Sequence, residues 1–255
     1  MFRPRRFRQA HTEAFVGYDE GRARRFWAIV SRLLDRWHVE VSGLERLPAG
    51  RALLYMNHAF GWDAALPIAA IRRATGRRVW VLGEHLWWKV PYLRGLAAAV
   101  GTVDGTPANA DALLAAGELV LVLPGGLREA VKPRELRYRL IWDGRYGFVR
   151  VAIHNQAPLV PVAGIGADEW VDLVGNPFAR GRRWLGRDFP LVRPRWGIPI
   201  VRRRGLQYVI GAPVYPHLLP GESAQAAAVR VRREARGALE ELIDEALAAR
   251  VGFRD

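Results

Sequence analysis

The sequence predicts an α/β protein: a central, mostly parallel β-sheet flanked by helices, with an N-terminal amphipathic helix and a long C-terminal helix. From residue 42 onward, short apolar runs bounded by turn residues alternate with stretches of helical periodicity. These runs are apolar at nearly every position, which is typical of strands buried on both faces of a parallel sheet. Half of the 255 residues are hydrophobic and 25% are charged, so the composition is that of a globular protein.

The first element is a basic amphipathic segment, which we place at residues 1–41. A helical projection of residues 24–39 separates an apolar side from an arginine side. Such a helix either packs on its own domain, as most surface helices do, or lies in a membrane interface, which tryptophans and polar-face arginines favour. We interpret the segment as a membrane contact. The apolar side consists of Phe26, Val30, Leu33 and Trp37, and the other side of Arg25, Arg32 and Arg36.

The main domain follows at residues 42–216. After a short segment at 41–47, its predicted strands are Ala52–Met56, Arg78–Leu82, Leu119–Leu123, Leu159–Val162 and Leu206–Ile210. The predicted helices between them are Asp63–Arg73, Glu84–Val100, Ala108–Ala116 and Tyr146–Asn155. A basic excursion at residues 175–204 carries nine arginines and two tryptophans without a clear period, and is either a solvated loop or a surface for lipid or phosphate.

The last element is a helix from Glu222 to about Arg250, within residues 217–255. Five small or aliphatic residues recur along it at helical spacing, which predicts a stripe that packs on the domain. These residues are Val231, Ala235, Leu239, Leu242 and Ala246.

Charge is the unusual feature of the composition. The chain carries 39 basic and 25 acidic residues, a formal net charge of +14, and its only lysines are Lys89 and Lys132. This positive field predicts a polyanionic partner: nucleic acid, an anionic membrane surface or a phosphate-bearing small molecule. No signal peptide is recognisable and no window of about eighteen apolar residues occurs, so we expect any membrane contact to lie on the bilayer rather than span it.

Several enzyme classes are excluded by missing residues. Cysteine is absent, which removes disulfides, thiol nucleophiles and cysteine-ligated zinc. None of Ser31, Ser42 and Ser223 lies in a G-x-S-x-G elbow, and neither lysine follows a glycine as a phosphate-binding P-loop requires. The six histidines form no H-E-x-x-H pair. We therefore predict no metal site and no bound cofactor.

One cluster remains, Asn57-His58-Ala59-Phe60-Gly61-Trp62-Asp63, where the strand at 52–56 ends and a helix begins. On a continuous helix, His58 and Asp63 would point about 140° apart. A turn loosened by Gly61 lets the Asp63 carboxylate accept the imidazole N–H, and such a pair activates a hydroxyl because the carboxylate orients the base. The alternative is that Asp63 only caps its helix and that His58 is an ordinary loop histidine.

This cluster resembles the N-H-x4-D block of the glycerolipid acyltransferase (lysophospholipid acyltransferase) family, and further blocks follow in the family's order. Leu123–Glu129 is similar to the third motif in the P-G-G-x-x-E form of the diacylglycerol acyltransferase-like branch. The other blocks are Gly147–Ala152, similar to G-F-x-R-x-A, Ala157–Val162, similar to P-x-V-P-V, and Gly211–Pro213, similar to the closing G-x-P. Blocks that follow in order are more specific than any one of them alone.

The resemblance implies a membrane-associated O-acyltransferase that moves a fatty acyl group from acyl-CoA or acyl carrier protein to a hydroxyl of a glycerolipid. His58, oriented by Asp63, would remove the proton of the acceptor hydroxyl while that oxygen attacks the thioester. No covalent enzyme intermediate and no cofactor beyond the acyl donor are implied. Backbone N–H groups around residues 124–127, or at the start of the helix after Asp63, are expected to stabilise the oxyanion.

The resemblance also implies which residues contact substrate, with Arg128 near the acceptor head group. The alternative for Arg128 is a surface salt bridge with Glu129. Arg94, Arg145 and Arg150 are further candidate phosphate ligands. The alternative for Arg145 and Arg150 is that they only pair with Asp143 or with the surface of the predicted helix at 146–155. The implied substrate-binding residues are Asn57, Gly125, Gly126, Arg128, Glu129 and Arg150.

Two departures from the family pattern bear on the acceptor. Gly125 stands where phosphate-accepting members carry a glutamate. Gly105 stands where their second motif often ends in an arginine. Both departures favour a neutral or glycosylated lipid hydroxyl over glycerol 3-phosphate or lysophosphatidic acid.

Location follows from the implied substrates. Because an acyl chain and a lipid acceptor both partition into membrane, we expect the protein on the cytoplasmic face of a membrane, as a peripheral or monotopic protein. Aromatic and cationic residues of the types that settle at head groups support this expectation, although each tryptophan could instead belong to the core. They are Trp87, Trp88, Lys89, Trp184 and Trp196.

Two other functions compete with acyl transfer. A basic nucleic-acid-binding protein would explain the charge of +14, but it leaves the ordered motifs to coincidence, and no nucleic-acid-binding signature is present. A non-catalytic lipid-binding relative is disfavoured because His58 and Asp63 are intact.

Overall fold

The structure, a computed structural model, confirms the α/β class that the sequence predicts. Its strands are β1 (Glu40–Ser42), β2 (Ala52–Met56), β3 (Val79–Gly83), β4 (Thr102–Asp104), β5 (Leu119–Val122), β6 (Leu159–Ile165), β7 (Val171–Leu173), β8 (Val192–Pro194) and β9 (Gln207–Ile210). Seven of them form a sheet in the order β1-β9-β6-β2-β5-β3-β4, parallel at every pair except β6 and β9. β7 and β8 pair separately. The structure describes residues 13–59, 63–85, 88, 93–130, 132–169, 171–173, 192–194 and 205–251.

Helices cover both faces of the sheet. They are α1 (Glu20–Trp37), α2 (Ala65–Thr75), α3 (Leu93–Ala99), α4 (Pro107–Ala115), α5 (Gly126–Ala130), α6 (Gly147–His154) and α7 (Ala224–Val251). The fully buried strand β2 shows the two layers, because successive side chains of a strand point to opposite faces. Ala52, Leu54 and Met56 pack with α1 and α2, whereas Leu53 and Tyr55 pack with α4, α6 and α7.

The five predicted strands are all present, but β4, β7 and β8 have no counterpart among the predictions, and β8 lies within the excursion predicted to be irregular. Each of the three has three residues, too few for an alternating pattern to show. One helix is predicted too long. The sequence places it at 84–100, whereas α3 begins at Leu93, and Glu84 and His85 follow β3 outside any helix. Residues 86–87 and 89–92 of the predicted range lie outside the described residues.

α1 is the predicted amphipathic helix, but its apolar face is used within the domain. The helix begins earlier than predicted, where the Asp19 carboxylate accepts a hydrogen bond from the Arg22 N–H at 2.9 Å. The sequence leaves two interpretations open for this helix, packing on its own domain or lying in a membrane interface. The described helix packs on the domain. Membrane contact stays a prediction for its exposed side and for residues 1–12, which lie outside the described residues. The buried residues of α1 are Ala23, Trp27, Val30 and Leu34.

The C-terminal helix α7 packs on the domain as predicted, and all five stripe residues from Val231 to Ala246 are buried. Within this contact the Tyr55 hydroxyl of β2 donates to the carbonyl oxygen of Ala235 at 2.8 Å. Among the described helices, none has the length and apolar character needed to cross a bilayer.

The carboxyl ends of the parallel strands β2 to β6 meet at one edge of the sheet, which we call the site edge. Ligands of open α/β sheets bind outside such an edge. The first residues after these strands are Asn57, Glu84, Gly105, Leu123 and Gly166. Motifs that are far apart in the sequence are therefore brought side by side.

The basic excursion predicted at 175–204 lies almost wholly outside the described residues. The described chain stops at Leu173 and resumes at Gly205, apart from β8 between them. Trp88 is described and only 7% exposed, so the prediction that it reaches head groups is wrong: it is a core residue. The other members of that prediction lie outside the described residues, and they are Trp87, Lys89, Trp184 and Trp196.

Candidate active site

The turn after β2 is fastened to β6 by Asn57. Its side-chain nitrogen donates to the Gly164 carbonyl oxygen at 2.9 Å, and its side-chain oxygen accepts from the Gly164 N–H at 2.7 Å. The residue is only 1% exposed. The sequence predicts a substrate contact for Asn57, but in the structure both ends of its amide are used to hold the turn in place.

His58 and Asp63 form the predicted pair. Nδ1 of His58 lies 2.8 Å from Oδ1 of Asp63, and Oδ2 of Asp63 accepts a hydrogen bond from the Ala59 N–H at 2.8 Å. The alternative that Asp63 caps α2 is not observed, because the cap position is Ala64 and carries no side-chain hydrogen bond. The Tyr208 hydroxyl donates to the Asp63 carbonyl oxygen at 3.1 Å. The carboxylate therefore fixes both the imidazole and the turn that carries it.

Glu129 holds the same turn from the neighbouring strand connection. It is 0% exposed, and its two carboxylate oxygens accept from the His58 N–H at 2.8 Å and from the Ile141 N–H at 2.7 Å. A Cβ atom at Gly125 would overlap the Glu129 side chain, which explains the glycine at this position. The sequence predicts a substrate contact for Glu129; the structure gives it the position of a buried support for His58 instead.

Lys132 and Asp168 complete the surroundings of His58, and sequence reasoning missed both. Nζ of Lys132 lies 3.0 Å from Oδ2 of Asp168 and donates to the His58 carbonyl oxygen at 3.4 Å. Both side chains are 3% exposed. A clue was available for Lys132, because it follows Glu129 by three residues and is one of only two lysines in the chain. We call Asp63, Glu129, Lys132 and Asp168 the charge cluster.

The charge cluster favours a protonated imidazole. Burial lowers the pKa of His58, but the charge and hydrogen bond of Asp63, with the charge of Glu129, outweigh burial, so the pKa lies above its ordinary value of 6.5. Burial raises the pKa of Glu129 and of Asp168, and the cation of Lys132 opposes both shifts. With Nδ1–H donated to Asp63, Nε2 is the nitrogen that can accept a proton from a substrate.

The predicted arginines are at the surface and engaged with protein groups. Nη1 of Arg128 lies 2.5 Å from Oδ2 of Asp143, so its alternative pairing with Glu129 is wrong, because Glu129 is buried. Nη1 of Arg145 donates to the Pro124 carbonyl oxygen at 2.9 Å. Nη2 of Arg150 donates to Oε1 of Gln225 at 2.7 Å, at the start of α7.

The two glycines of the third motif are buried at the site edge. Gly126 has a φ of 53°, and a Cβ atom there would overlap Arg145 and Glu84. The N–H groups of Gly126 and Leu127 already donate, to Leu123 O at 2.9 Å and to Glu84 Oε1 at 3.3 Å. These two N–H groups therefore already have acceptors in this structure, and an oxyanion contact from the Gly125 N–H or from the start of the helix after Asp63 stays a prediction.

A pocket of about 380 Å³ opens at the site edge, one strand away from His58. It lies between the ends of β3 and β5 and the starts of α4 and α6. Pro124 and Gly126 line it, and they lead into α5, which carries Glu129. Its apolar wall includes Leu53, Leu82, Ala110, Val122, Phe148 and Val151.

A second histidine–carboxylate pair lies beside this pocket. Nδ1 of His85 is 2.5 Å from Oδ1 of Asp104, where β3 and β4 end. His85, Glu84 and Arg145 are the ionisable residues among those that line the pocket. Residues 101–105, which stand where the family's second motif falls, thus bring the Asp104 carboxylate beside the pocket through its pairing with His85.

Comparison with known proteins agrees with the motifs. The acyltransferase family model matches residues 38–164, about half of the chain. The mouse protein named DGAT1/2-independent enzyme synthesizing storage lipids is 32% identical over 171 residues, covering 66% of this chain and 51% of its own. The human protein of that name is 29% identical over 214 residues, which cover 82% of this chain and 62% of the human protein. An uncharacterized protein of Mycobacterium tuberculosis H37Rv is 36% identical over 138 residues, which cover 52% of this chain and 38% of that protein.

A solved structure shares the fold. The 1-acyl-sn-glycerophosphate acyltransferase PlsC of Thermotoga maritima superposes with a TM-score of 0.51 at 18% identity, over 86% of this chain and 80% of that one. The chain spans about half the length of the first curated relatives it matches. Taken together, the ordered motifs, the His58–Asp63 pair at the site edge and the matching family model show that the chain belongs to the acyltransferase family.

Proposed function

We propose that this protein transfers an acyl group from acyl-CoA or acyl carrier protein to a hydroxyl of a glycerolipid, with His58 as general base. The observation that carries the proposal is the His58–Asp63 pair at 2.8 Å, held at the site edge of an acyltransferase fold. Such a pair accepts a proton at Nε2 while the carboxylate stabilises the imidazolium that forms.

The reaction balances with these groups alone. The acceptor O–H gives its proton to Nε2 of His58 as the oxygen attacks the thioester carbon. When the tetrahedral intermediate collapses, the C–S bond breaks, and the departing sulfur takes the proton back from His58. The ester and the free thiol are released, and His58 is neutral again.

The proposed experiment is incubation of the purified protein with radiolabelled acyl-CoA and a panel of acceptors. The panel contains lysophosphatidic acid, a lysophospholipid, monoacylglycerol, diacylglycerol and a long-chain alcohol. We expect transfer to a neutral lipid hydroxyl. Absence of transfer to every acceptor, from acyl-CoA and from acyl carrier protein alike, would contradict the proposal.

We further propose a neutral acceptor, for an electrostatic reason. Asp104 and Glu84 place carboxylates at or beside the pocket, and Gly105 and Gly125 stand where the resemblance expects an arginine and a glutamate in phosphate-accepting members. At the mouth of the pocket, where the acceptor would meet the acyl group, a phosphate would lie near these carboxylates, and the lining arginine Arg145 is already bound to the Pro124 carbonyl oxygen. A neutral hydroxyl carries no charge to repel and can donate to a carboxylate. The name of the mouse and human relatives, which refers to storage lipids, agrees with this choice. Preferred use of lysophosphatidic acid would overturn it.

The apolar pocket at the site edge is the proposed site for the acyl chain, because its walls are aliphatic and aromatic and it adjoins the segment that supports His58. Ala110 on α4 lines the pocket and is 1% exposed. Ala110→Leu should shorten the pocket and shift the preference toward shorter acyl-CoA by roughly 10-fold or more, measured as the ratio of kcat/KM for a short and a long donor.

The matched control for the pocket is Ala112→Leu, on the exposed side of the same helix. It adds the same side chain without entering the pocket, so the ratio should stay that of the unmodified protein. An unchanged ratio in Ala110→Leu, with the protein still folded, would place the acyl chain elsewhere.

We also propose that the site edge faces a membrane. The described chain is interrupted after Ala59, His85 and Glu169, which follow β2, β3 and β6 at this edge, and Ala14, next to residues 1–12, donates to Oδ1 of Asn109 at the start of α4. The segments that follow these three positions and lie outside the described residues are 60–62, 86–87, 89–92, 170, 174–191 and 195–204. Arginines and tryptophans are frequent in these parts of the sequence. Such residues are attracted to anionic head groups.

Replacing the four arginines of residues 1–12 with glutamine should therefore weaken binding to anionic vesicles. At about 1 kcal/mol for each cation near the surface, the loss should be roughly 10²–10³-fold in a vesicle sedimentation assay. Added salt should weaken binding of the unmodified protein in the same direction. Equal binding of both proteins would move the membrane contact to another part of the chain.

A further inference from the structure

We infer that Lys132 and Asp168 act as a positioning pair for His58, fixing its backbone and setting its strength as a base from inside the domain. The inference rests on the proposed function of His58, but one of its two measurements does not need catalysis. Neither residue touches the reacting atoms; both act through His58.

Lys132 is the partner of the His58 carbonyl oxygen. His58 has its N–H bound by Glu129, its Nδ1 by Asp63 and its carbonyl oxygen by Lys132, at 2.8, 2.8 and 3.4 Å. Three charged side chains thus hold the residue, and Nε2 is left for substrate. Removing Lys132 would free the carbonyl side of the turn that carries the base.

Asp168 in turn fixes Lys132. Its Oδ2 lies 3.0 Å from Nζ of Lys132 and accepts a hydrogen bond from the Tyr138 N–H. Lys132 and Asp168 therefore form a buried ion pair that is anchored to the backbone. A buried cation is retained in a protein only where such partners compensate for its lost hydration.

The charges of the cluster explain why a cation is useful here. Asp63, Glu129 and Asp168 bring carboxylates into one buried region, and Lys132 places a cation among them. With all three carboxylates ionised, the cluster has a net charge of −2, so the cluster and a protonated His58 together carry −1. The cluster thus stabilises the imidazolium, and Lys132 limits that effect, because its charge lowers the pKa of His58.

Two substitutions should therefore shift the titration of His58 in opposite directions. Lys132→Met removes the cation, so the midpoint should move to higher pH. Asp168→Asn keeps an oxygen that can accept from Lys132 and Tyr138 but leaves the cation less compensated, so the midpoint should move to lower pH. Each variant should shift the midpoint of the His58 titration by roughly half a pH unit to one pH unit. Lys132→Arg keeps the charge and should keep the midpoint.

Two measurements test the predicted shifts of the His58 titration midpoint. The pH profile of kcat/KM for acyl transfer reports the midpoint of the free enzyme, and an NMR titration of the His58 imidazole reports it without substrate. The His58 resonance is assigned by its absence in His58→Ala. If the unmodified protein transfers no acyl group, the proposed function fails, while the NMR titration still decides the present inference.

The control is Arg230→Met, which breaks another ion pair, with Glu222 at 2.8 Å, away from His58. It should lower thermal stability and leave the midpoint unchanged. Shifts of opposite sign in Lys132→Met and Asp168→Asn support the inference. If both variants, like the control, lose only stability, the pair is merely structural and the inference is overturned. Should Lys132→Met fail to fold, an unshifted midpoint in Asp168→Asn would overturn it as well.

Discussion

Replacing His58 with alanine should lower the rate of acyl transfer by about 10²–10⁴-fold, the contribution typical of a positioned general base. The loss should be chemical rather than structural. Glu129 and Lys132 bind the backbone N–H and carbonyl oxygen of His58, and both bonds remain possible in an alanine variant. The measurement is transfer of a radiolabelled acyl group under saturating donor and acceptor.

The matched control is His154→Ala, which removes an exposed histidine at the end of α6. Vesicle binding and thermal stability should be close to those of the unmodified protein in both variants. Undiminished transfer by His58→Ala would remove His58 from the mechanism. Vesicle binding without any transfer, in the unmodified protein as in the variant, would instead favour a non-catalytic lipid-binding relative.

Asp63→Asn should lower transfer by a similar factor, about 10²–10⁴-fold, because the tautomer of the base is no longer fixed. The carboxylate of Asp63 accepts from two donors, Nδ1–H of His58 and the Ala59 N–H, one on each oxygen. An amide has a single oxygen, which can accept from the Ala59 N–H while the NH₂ group donates to Nδ1 of His58. The imidazole then carries its proton on Nε2, and the nitrogen that should accept the substrate proton is occupied.

The pH profile separates this effect from simple unfolding. His58 must be neutral to act as a base, so the rate falls as the pH falls below its pKa. Asp63 raises that pKa, and Asp63→Asn should therefore move the acidic limb to lower pH while the plateau drops. A variant that keeps the full plateau rate, or whose acidic limb moves to higher pH, would contradict the orienting role of Asp63.

The local part of the site can be predicted from the sequence because its residues are neighbours. His58 and Asp63 are five residues apart in the connection after an apolar strand, so the contact between them needs only a local fold of the chain. Residue type alone does not tell whether a motif residue faces substrate or core. Glu129 and Asn57 belong to the motifs, yet both face inward and support the turn.

The contacts that the sequence misses are set by topology. Lys132 and Asp168 meet because β2 lies between β5 and β6, which brings the segments after those strands together around the turn after β2. A single sequence contains the strands but not their order. Helical periodicity has a similar limit in α1: it identifies the residues that share a face, but not whether lipid or protein covers that face.

The hydrogen bond from Tyr55 to Ala235 shows that the structural unit around His58 includes the C-terminal helix. The family model ends at residue 164, and the helix that begins at Ala224 looks like an appendage to it. Yet Tyr55 is three residues before His58 on β2, and its buried hydroxyl has its partner in the middle of that helix. The strand that carries the base is therefore completed by the last segment of the chain, and a fragment cut to the family match would lack one wall of its own core.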